Sequence, residues 1–222
     1  RKLIESSRCK ILLPVSKLVE DCYRKYYDLS GKTIQVVHPT VSEEFVNPPP
    51  SLFDWRERLE IPKDAKVVLF VANNYEHKGL DLVMDSMKEV LQEKEIYLWI
   101  GGRGNIPKYK TKAKKLGIVE FVRFTGMIRE NLPHLYRSSN IFVLPSKFDT
   151  FGIVVTEALA SGVPVLVSKT TGACSYFRKS NGIIILENLN TECIKENILK
   201  IISNPKEIRF ISKHHSINRF YE

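Results

Sequence analysis

From Lys66 onward, short runs that are apolar at every position alternate with longer stretches whose apolar residues recur at helical spacing. Val67-Val-Leu-Phe-Val71 and Ile141-Phe-Val-Leu144 are of the first kind, as strands buried on both faces must be. The pattern predicts strands near 66–72, 96–101, 120–125, 140–145, 164–168 and 183–186. Helices are predicted near 78–93, 107–116, 131–138, 152–161, 190–203 and 205–214. Such alternation implies right-handed βαβ units and a parallel sheet covered by helices on both faces, an α/β fold. Ligands on such a sheet bind beyond the carboxyl ends of the strands. Asn73, Gly102, Gly126 and Asp149 all fall there.

The amino-terminal part has a different rhythm. Lys10-Ile-Leu-Leu-Pro-Val15 reads as a short strand, Lys17 to Tyr27 as a helix, and Lys32-Thr-Ile-Gln-Val-Val37 as a second strand. Pro39 and Asn47-Pro48-Pro49-Pro50 then supply too much proline for a helix or a central strand. We therefore expect residues 1–38 to end one domain, 39–63 to link, and 64–222 to form a Rossmann-like domain. The sequence holds no internal repeat and no low-complexity tract.

The stretch from Ile141 to Val165 is the most informative. Ile141-Phe-Val-Leu-Pro-Ser146 predicts a buried strand ending in a turn, and Gly162 with Pro164 ends the following helical run. Between them stand Asp149, Phe151-Gly152 and, eight positions after the first acid, Glu157. A helix start leaves amide groups unpaired and carries a partial positive charge, so it attracts phosphate. Gly152 lets a ligand approach the backbone closely. Glu157 returns to the face of Thr150 about two helical turns later, so a diphosphate at the helix start could have Asp149 at one end and Glu157 at the other. The plainer alternative is a solvent-facing acid on an ordinary αβ crossover.

This segment resembles the E-x7-E region of retaining glycosyltransferases of the GT-B fold, family GT4 (glycosyl transferases group 1). Phe151-Gly152, Glu157-Ala158 and Gly162-Val163-Pro164-Val165 stand in the family's register, with Asp149 in place of the usual first Glu. The likeness extends to Val67–Asp81, with its Lys78-Gly79 turn, to Ile96–Gly104, to Phe121–Gly126 and to Leu132–Tyr136, and so covers about residues 64 to 203. Asn73 stands where many members carry Arg; some lipopolysaccharide-core glucosyltransferases also lack that Arg, and this chain resembles that branch more. The resemblance implies a C-terminal donor domain preceded by the end of an acceptor-side domain.

The resemblance also implies roles. Lys78 would lie on the donor diphosphate, where a cation stabilises the leaving nucleotide more in the transition state than in the ground state. Asp149 would accept from sugar hydroxyls and Glu157 from ribose hydroxyls, so these three form the expected catalytic set. Asn73, Gly126, Met127, Ile128, Thr150, Phe151, Gly152 and Ile153 would complete the nucleotide site, with Gly126 to Ile128 reading the base. The expected donor is a UDP-sugar, with no permanently bound cofactor and no metal. The expected acceptor is a glycan or lipid-linked molecule held by the other domain, so this stretch alone would bind donor without transferring sugar. A nucleotide-sugar epimerase of the same fold is the alternative enzyme.

Charge and cysteines alter this picture little. The chain has 34 basic and 25 acidic residues, a formal charge of +9, and 43% hydrophobic residues among 222. That balance admits nucleic acid, an anionic membrane or a phosphorylated ligand. Within the Lys108 to Lys115 cluster the one interleaved aromatic is Tyr109, and no recognition motif is present, so a basic nucleic-acid-binding module is the lesser alternative and no nucleic-acid partner is expected. The cluster Lys108 to Lys115 reads as a solvated helix face, and peripheral membrane contact is its sharper reading. Asp81 and Asp85 read as a second solvated face. No apolar run approaches the ~18 residues of a membrane span. Cys9, Cys22, Cys174 and Cys193 lack metal-ligand spacing and read as reduced thiols of a cytoplasmic protein, one working at the cytoplasmic face of a membrane if that contact is made. Gly101-Gly102-Arg103-Gly104 could suggest a dinucleotide fingerprint, but Ile106-Pro107 stands where its third glycine belongs. His134, His214 and His215 have no catalytic context.

Overall fold

The computed structural model describes residues 2–128, 130–177 and 182–204. Its amino-terminal elements are α1 (Lys2–Glu5), β1 (Ile11–Leu12), α2 (Lys17–Tyr26), β2 (Thr33–Ile34), α3 (Glu43–Val46) and α4 (Trp55–Arg58). The main body follows as β3 (Lys66–Asn73), α5 (Leu80–Val90), β4 (Ile96–Arg103), α6 (Ile106–Leu116) and β5 (Val122–Gly126). It continues through α7 (Leu132–Arg137), β6 (Ile141–Leu144), α8 (Ile153–Ala160), β7 (Val165–Ser168), α9 (Cys174–Phe177), β8 (Ile183–Leu186) and α10 (Thr191–Ser203).

The six strands β3 to β8 form one parallel sheet in the order β5-β4-β3-β6-β7-β8. The chain runs outward from β3 on one side and then restarts at β6 on the other. Right-handed crossovers therefore place the helices of the two halves on opposite faces. Helix α5 packs on α10, which lies along β6, β7 and β8, while α8 packs on β6 and β7 beside α3 and α7. Every residue of β6 and β7 is buried, as are the six central residues of β3. Trp99, Phe70 and Phe142 fill the centre of the core.

The topology has one reversal, between β3 and β6, and a crevice opens at the carboxyl ends of strands at such a point. Glycine brings the two loops there together. Gly79 sits at φ +84°, and a Cβ on it would collide with the Pro145 carbonyl oxygen. The Lys147 amide then donates to the His77 carbonyl at 3.2 Å.

Other parts differ from the sequence pattern. The strands expected over 10–15 and 32–37 shrink to a two-residue parallel pair, with Ile11 and Leu13 about 60% and 59% exposed. The stretch expected as linker carries α3 and α4, and it is bolted to the sheet domain. Phe45 and Trp55 enter the main core, Trp55 Nε1 donates to the Asn131 carbonyl at 3.0 Å, and Arg137 donates to the Val46 carbonyl at 2.8 Å. The Asp81/Asp85 face is partly solvated, each acid side chain 41% exposed, but both acids are paired. Lys112 Nζ bridges both acids at 3.0 and 2.9 Å, and Tyr109 Oη donates to Asp81 at 2.8 Å. The cause is packing of α6 beside α5, which buries Tyr109 and brings the lysine across. The helix expected over 205–214, with His214 and His215, lies outside the described residues.

Candidate functional site

Two helices point their amino termini at the reversal crevice, and both begin without a side-chain cap. Helices α2, α6 and α10 are capped by Ser16, Asn105 and Asn190, each accepting from a backbone amide of the first turn. Helices α5 and α8 instead start from left-handed glycines, Gly79 at φ 84° and Gly152 at φ 83°. A cap would satisfy amides that a phosphate can use. A Cβ on Gly152 would run into the Thr171 methyl, so the turn into α8 admits glycine for both conformation and space.

Lys78 and Asp149 come from opposite sides of the reversal and meet. Lys78 Nζ lies 2.5 Å from Asp149 Oδ2, and the two side chains are 23% and 12% exposed. Asp149 is held firmly. Its other oxygen, Oδ1, accepts from the Phe151 amide at 3.2 Å. Its own amide donates to the Thr170 carbonyl, and its carbonyl accepts from the Gly172 amide, both at 3.0 Å. The loop 149–151 thus pairs with 170–173 as a short extra rung of the sheet.

Glu157 lies one turn into α8 and takes a different partner. Tyr136 Oη, from α7, donates to Glu157 Oε2 at 2.8 Å. Burial pushes the Glu157 carboxyl above the ordinary carboxylate range; the Tyr136 hydrogen bond opposes this, and the Glu44 charge adds to it. The same burial, with the Glu157 charge beside it, drives the Tyr136 phenol well above 10. The acid is therefore set in a semi-apolar recess where it would accept hydroxyl donors strongly once ionised.

The remaining expected residues line the rim. Asn73 ends β3, exposed and in register with Arg103 on β4. Gly126 ends β5 at φ 68° with open space where its side chain would be. Met127 is 46% exposed, and Ile128 packs half-buried against the core. Thr150 is exposed, Phe151 is buried, and Ile153 opens α8. The structure brings Lys78, Asp149, Phe151 and Gly152 into one cluster, and it sets Glu157 apart with Tyr136.

The pairings of several neighbours had no local signal. Tyr136 closes the Leu132–Tyr136 stretch that resembles the family, but its pairing with Glu157 depends on α7 lying beside α8. Arg103 Nε points at Met127 Sδ, 3.2 Å away. Ser168 and Thr170 hydroxyls both donate to the Ser146 carbonyl, at 2.7 and 2.8 Å, tying the loop after β7 to the loop after β6. The run Ser168-Lys-Thr-Thr-Gly172 could have suggested that tie, since hydroxyl side chains readily bond nearby backbone.

The model of the family described as glycosyl transferases group 1 matches residues 53–216, well over half of the chain. The chain is a member of that family. Among its relatives, mannosylfructose-phosphate synthase of Agrobacterium fabrum is 30% identical over 192 residues, 80% of this chain and 42% of the relative. The lipopolysaccharide glucosyltransferase WaaG of Escherichia coli is 25% identical over 204 residues, 87% of this chain and 53% of WaaG. Among solved structures, Anabaena HepE in complex with UDP and glucose superposes with a TM-score of 0.74 at 16% identity, over 90% of this chain and 55% of that one. The group 1 chain thus spans about half the length of these relatives. The GT-B fold expected from the sequence is the fold of these neighbours, and the chain, with its six-stranded parallel sheet, covers a C-terminal part of it. Among the described residues, no helix is long and apolar enough to cross a membrane.

Proposed function

We propose that this chain is the donor-binding part of a retaining glycosyltransferase that uses a nucleotide diphosphate sugar, with UDP-sugars preferred. The observation that carries the reading is the pair of uncapped, glycine-started helices at the single topological reversal, with Lys78 between them. The diphosphate would sit on the amides of Gly152 and Ile153 and take Lys78 as its cation. Charge builds on the leaving phosphate as the glycosidic bond breaks, and fixed amide dipoles plus a lysine stabilise it without reorganising. Charge stabilisation is thus assigned to the protein itself. Glu157 would accept from the ribose hydroxyls, and Asp149 from the sugar.

The base would lie against Gly126, Met127 and Ile128, where exposed apolar surface adjoins free backbone. A uracil preference is supported by the likeness in fold to HepE, which was solved with UDP and glucose. We assign the acceptor, a glycan or a lipid-linked molecule, to the part of the enzyme on the β1–β2 side. Work at the cytoplasmic face of a membrane belongs to the same proposal.

A thermal-shift panel of UDP, GDP and ADP at equal concentration tests the reading. UDP should raise the melting temperature most. A shift with GDP and none with UDP would overturn the UDP assignment, and no shift with any nucleotide would overturn donor binding.

A further inference from the structure

The loop that opens α8 is held from an unexpected direction. Ser16 lies at the start of α2, outside the residues that match the family model, and is fully buried. Its hydroxyl does two things. It accepts from the Val19 amide at 3.2 Å, capping α2, and it donates to the Thr150 carbonyl at 2.5 Å, 134 residues away. The Thr150 carbonyl belongs to the same peptide group as the Phe151 amide, which donates to Asp149 Oδ1. That peptide is therefore pinned at both ends. Its plane fixes where the chain goes next, and so where the Gly152 and Ile153 amides point.

Neighbouring contacts make the joint close-packed. A Cβ on Gly172 would strike both the Thr150 carbonyl oxygen and the Ser16 side chain, so only glycine leaves room there. The Lys17 amide donates to Tyr176 Oη at 3.2 Å. His38 packs on Tyr176 with ring centroids 3.8 Å apart and stacks on Phe151 at 6.0 Å. The amino-terminal segment thus grips the loops after β6 and β7 at several points, with Ser16 at the centre.

We infer that Ser16 is a positioning residue for the donor site: its hydroxyl orients the Thr150–Phe151 peptide so that the amides opening α8 face the diphosphate. This rests on the nucleotide-sugar reading above. A consequence is that the donor site is completed by the acceptor-side segment, so movement of that segment and the grip on the diphosphate are linked.

Three variants test this by titration with UDP and by melting temperature. Ser16→Ala should weaken UDP binding about three- to tenfold, the size of one lost hydrogen bond to a peptide group. Gly172→Ala leaves the hydroxyl and the α2 cap chemically intact but wedges the joint apart, and it should weaken UDP similarly. Ser16→Thr keeps the hydroxyl and should recover at least half of the lost affinity on a logarithmic scale. Ser16→Ala or Gly172→Ala that bind UDP as the wild type does, melting lower or not, would overturn the proposal, leaving Ser16 as the cap of α2 alone. Ser16→Thr as weak as Ser16→Ala would overturn it too. Failure of the wild-type chain to bind UDP would instead overturn the nucleotide-sugar reading beneath it.

Discussion

Glu157→Gln separates two demands placed on one side chain. Burial raises the Glu157 carboxyl above its ordinary 4.5, and the Glu44 charge adds to the rise, while the Tyr136 hydroxyl offsets part of it. An acid whose folded pKa exceeds its unfolded value holds its proton more tightly when folded. Its contribution to stability is complete below the unfolded value and is lost as pH climbs through the folded value. Above that window the ionised carboxylate costs about 1.4 kcal/mol for each unit of elevation. Gln keeps the size and an acceptor for Tyr136 Oη but carries no charge. The variant should therefore melt higher than wild type at pH 8, by about 2–4 °C per kcal/mol for a chain of this size. The gain should vanish as pH falls toward 4.5, where Glu157 is itself protonated. Nucleotide affinity should move the other way, because an amide oxygen accepts ribose hydroxyls more weakly than a carboxylate; about tenfold is expected. Scanning fluorimetry from pH 4.5 to 8, with UDP titration at pH 8, reads both effects. A variant that melts no higher at pH 8, or whose gain does not shrink toward acid, would refute the buried-charge argument. Undiminished UDP affinity would remove Glu157 from the ribose.

Asp149→Ala should weaken a UDP-sugar by about one to two decades, as for a lost charge-assisted hydrogen bond, and weaken UDP less, by about three- to tenfold, through loss of its hold on the Phe151 amide; equal losses for both ligands would make Asp149 a loop-holding residue only. Gly152→Ala forces a side chain into a left-handed turn and against Thr171, which should cost about 2–5 kcal/mol, and an unaltered melting temperature would show that the turn relaxes freely. Lys78→Ala should abolish most of the preference for UDP over uridine in a competition titration; a preserved preference would place the diphosphate elsewhere.

The sheet and its helices were legible because their cause is local. Strands buried on both faces must be apolar throughout, and Gly162, at φ 76°, ends the helical run before it as a turn requires. The amino-terminal strands were overread because their hydrophobicity is not buried here: Ile11 and Leu13 stay exposed on a two-stranded ribbon. Helix α9 was missed because a Ser, Thr and Gly run precedes it and reads as loop. Prolines at 48–50 masked the docking of Phe45 and Trp55, since a proline count says nothing about what lies on either side. At the site, the sequence pointed to Lys78, Asp149 and Glu157 one by one. Their partners were beyond its reach, because Lys78 and Asp149 are 71 residues apart, and Ser16 and Thr150 are 134 apart. The first pair exists only after β3 lies beside β6, and the second only once α2 packs against the loop after β6; no local pattern encodes either.

The central claim places a nucleotide diphosphate at the carboxyl ends of β3 and β6. The measurement that tests it most directly is an amide NMR titration of the isotopically labelled chain with UDP. The account predicts that the largest shifts fall on Gly79, Gly126 to Ile128 and Phe151 to Ile153, and that they saturate together. Shifts centred instead on the lysine-rich helix α6, around Lys108 to Lys115, would contradict it and mark UDP as an anion held by surface charge.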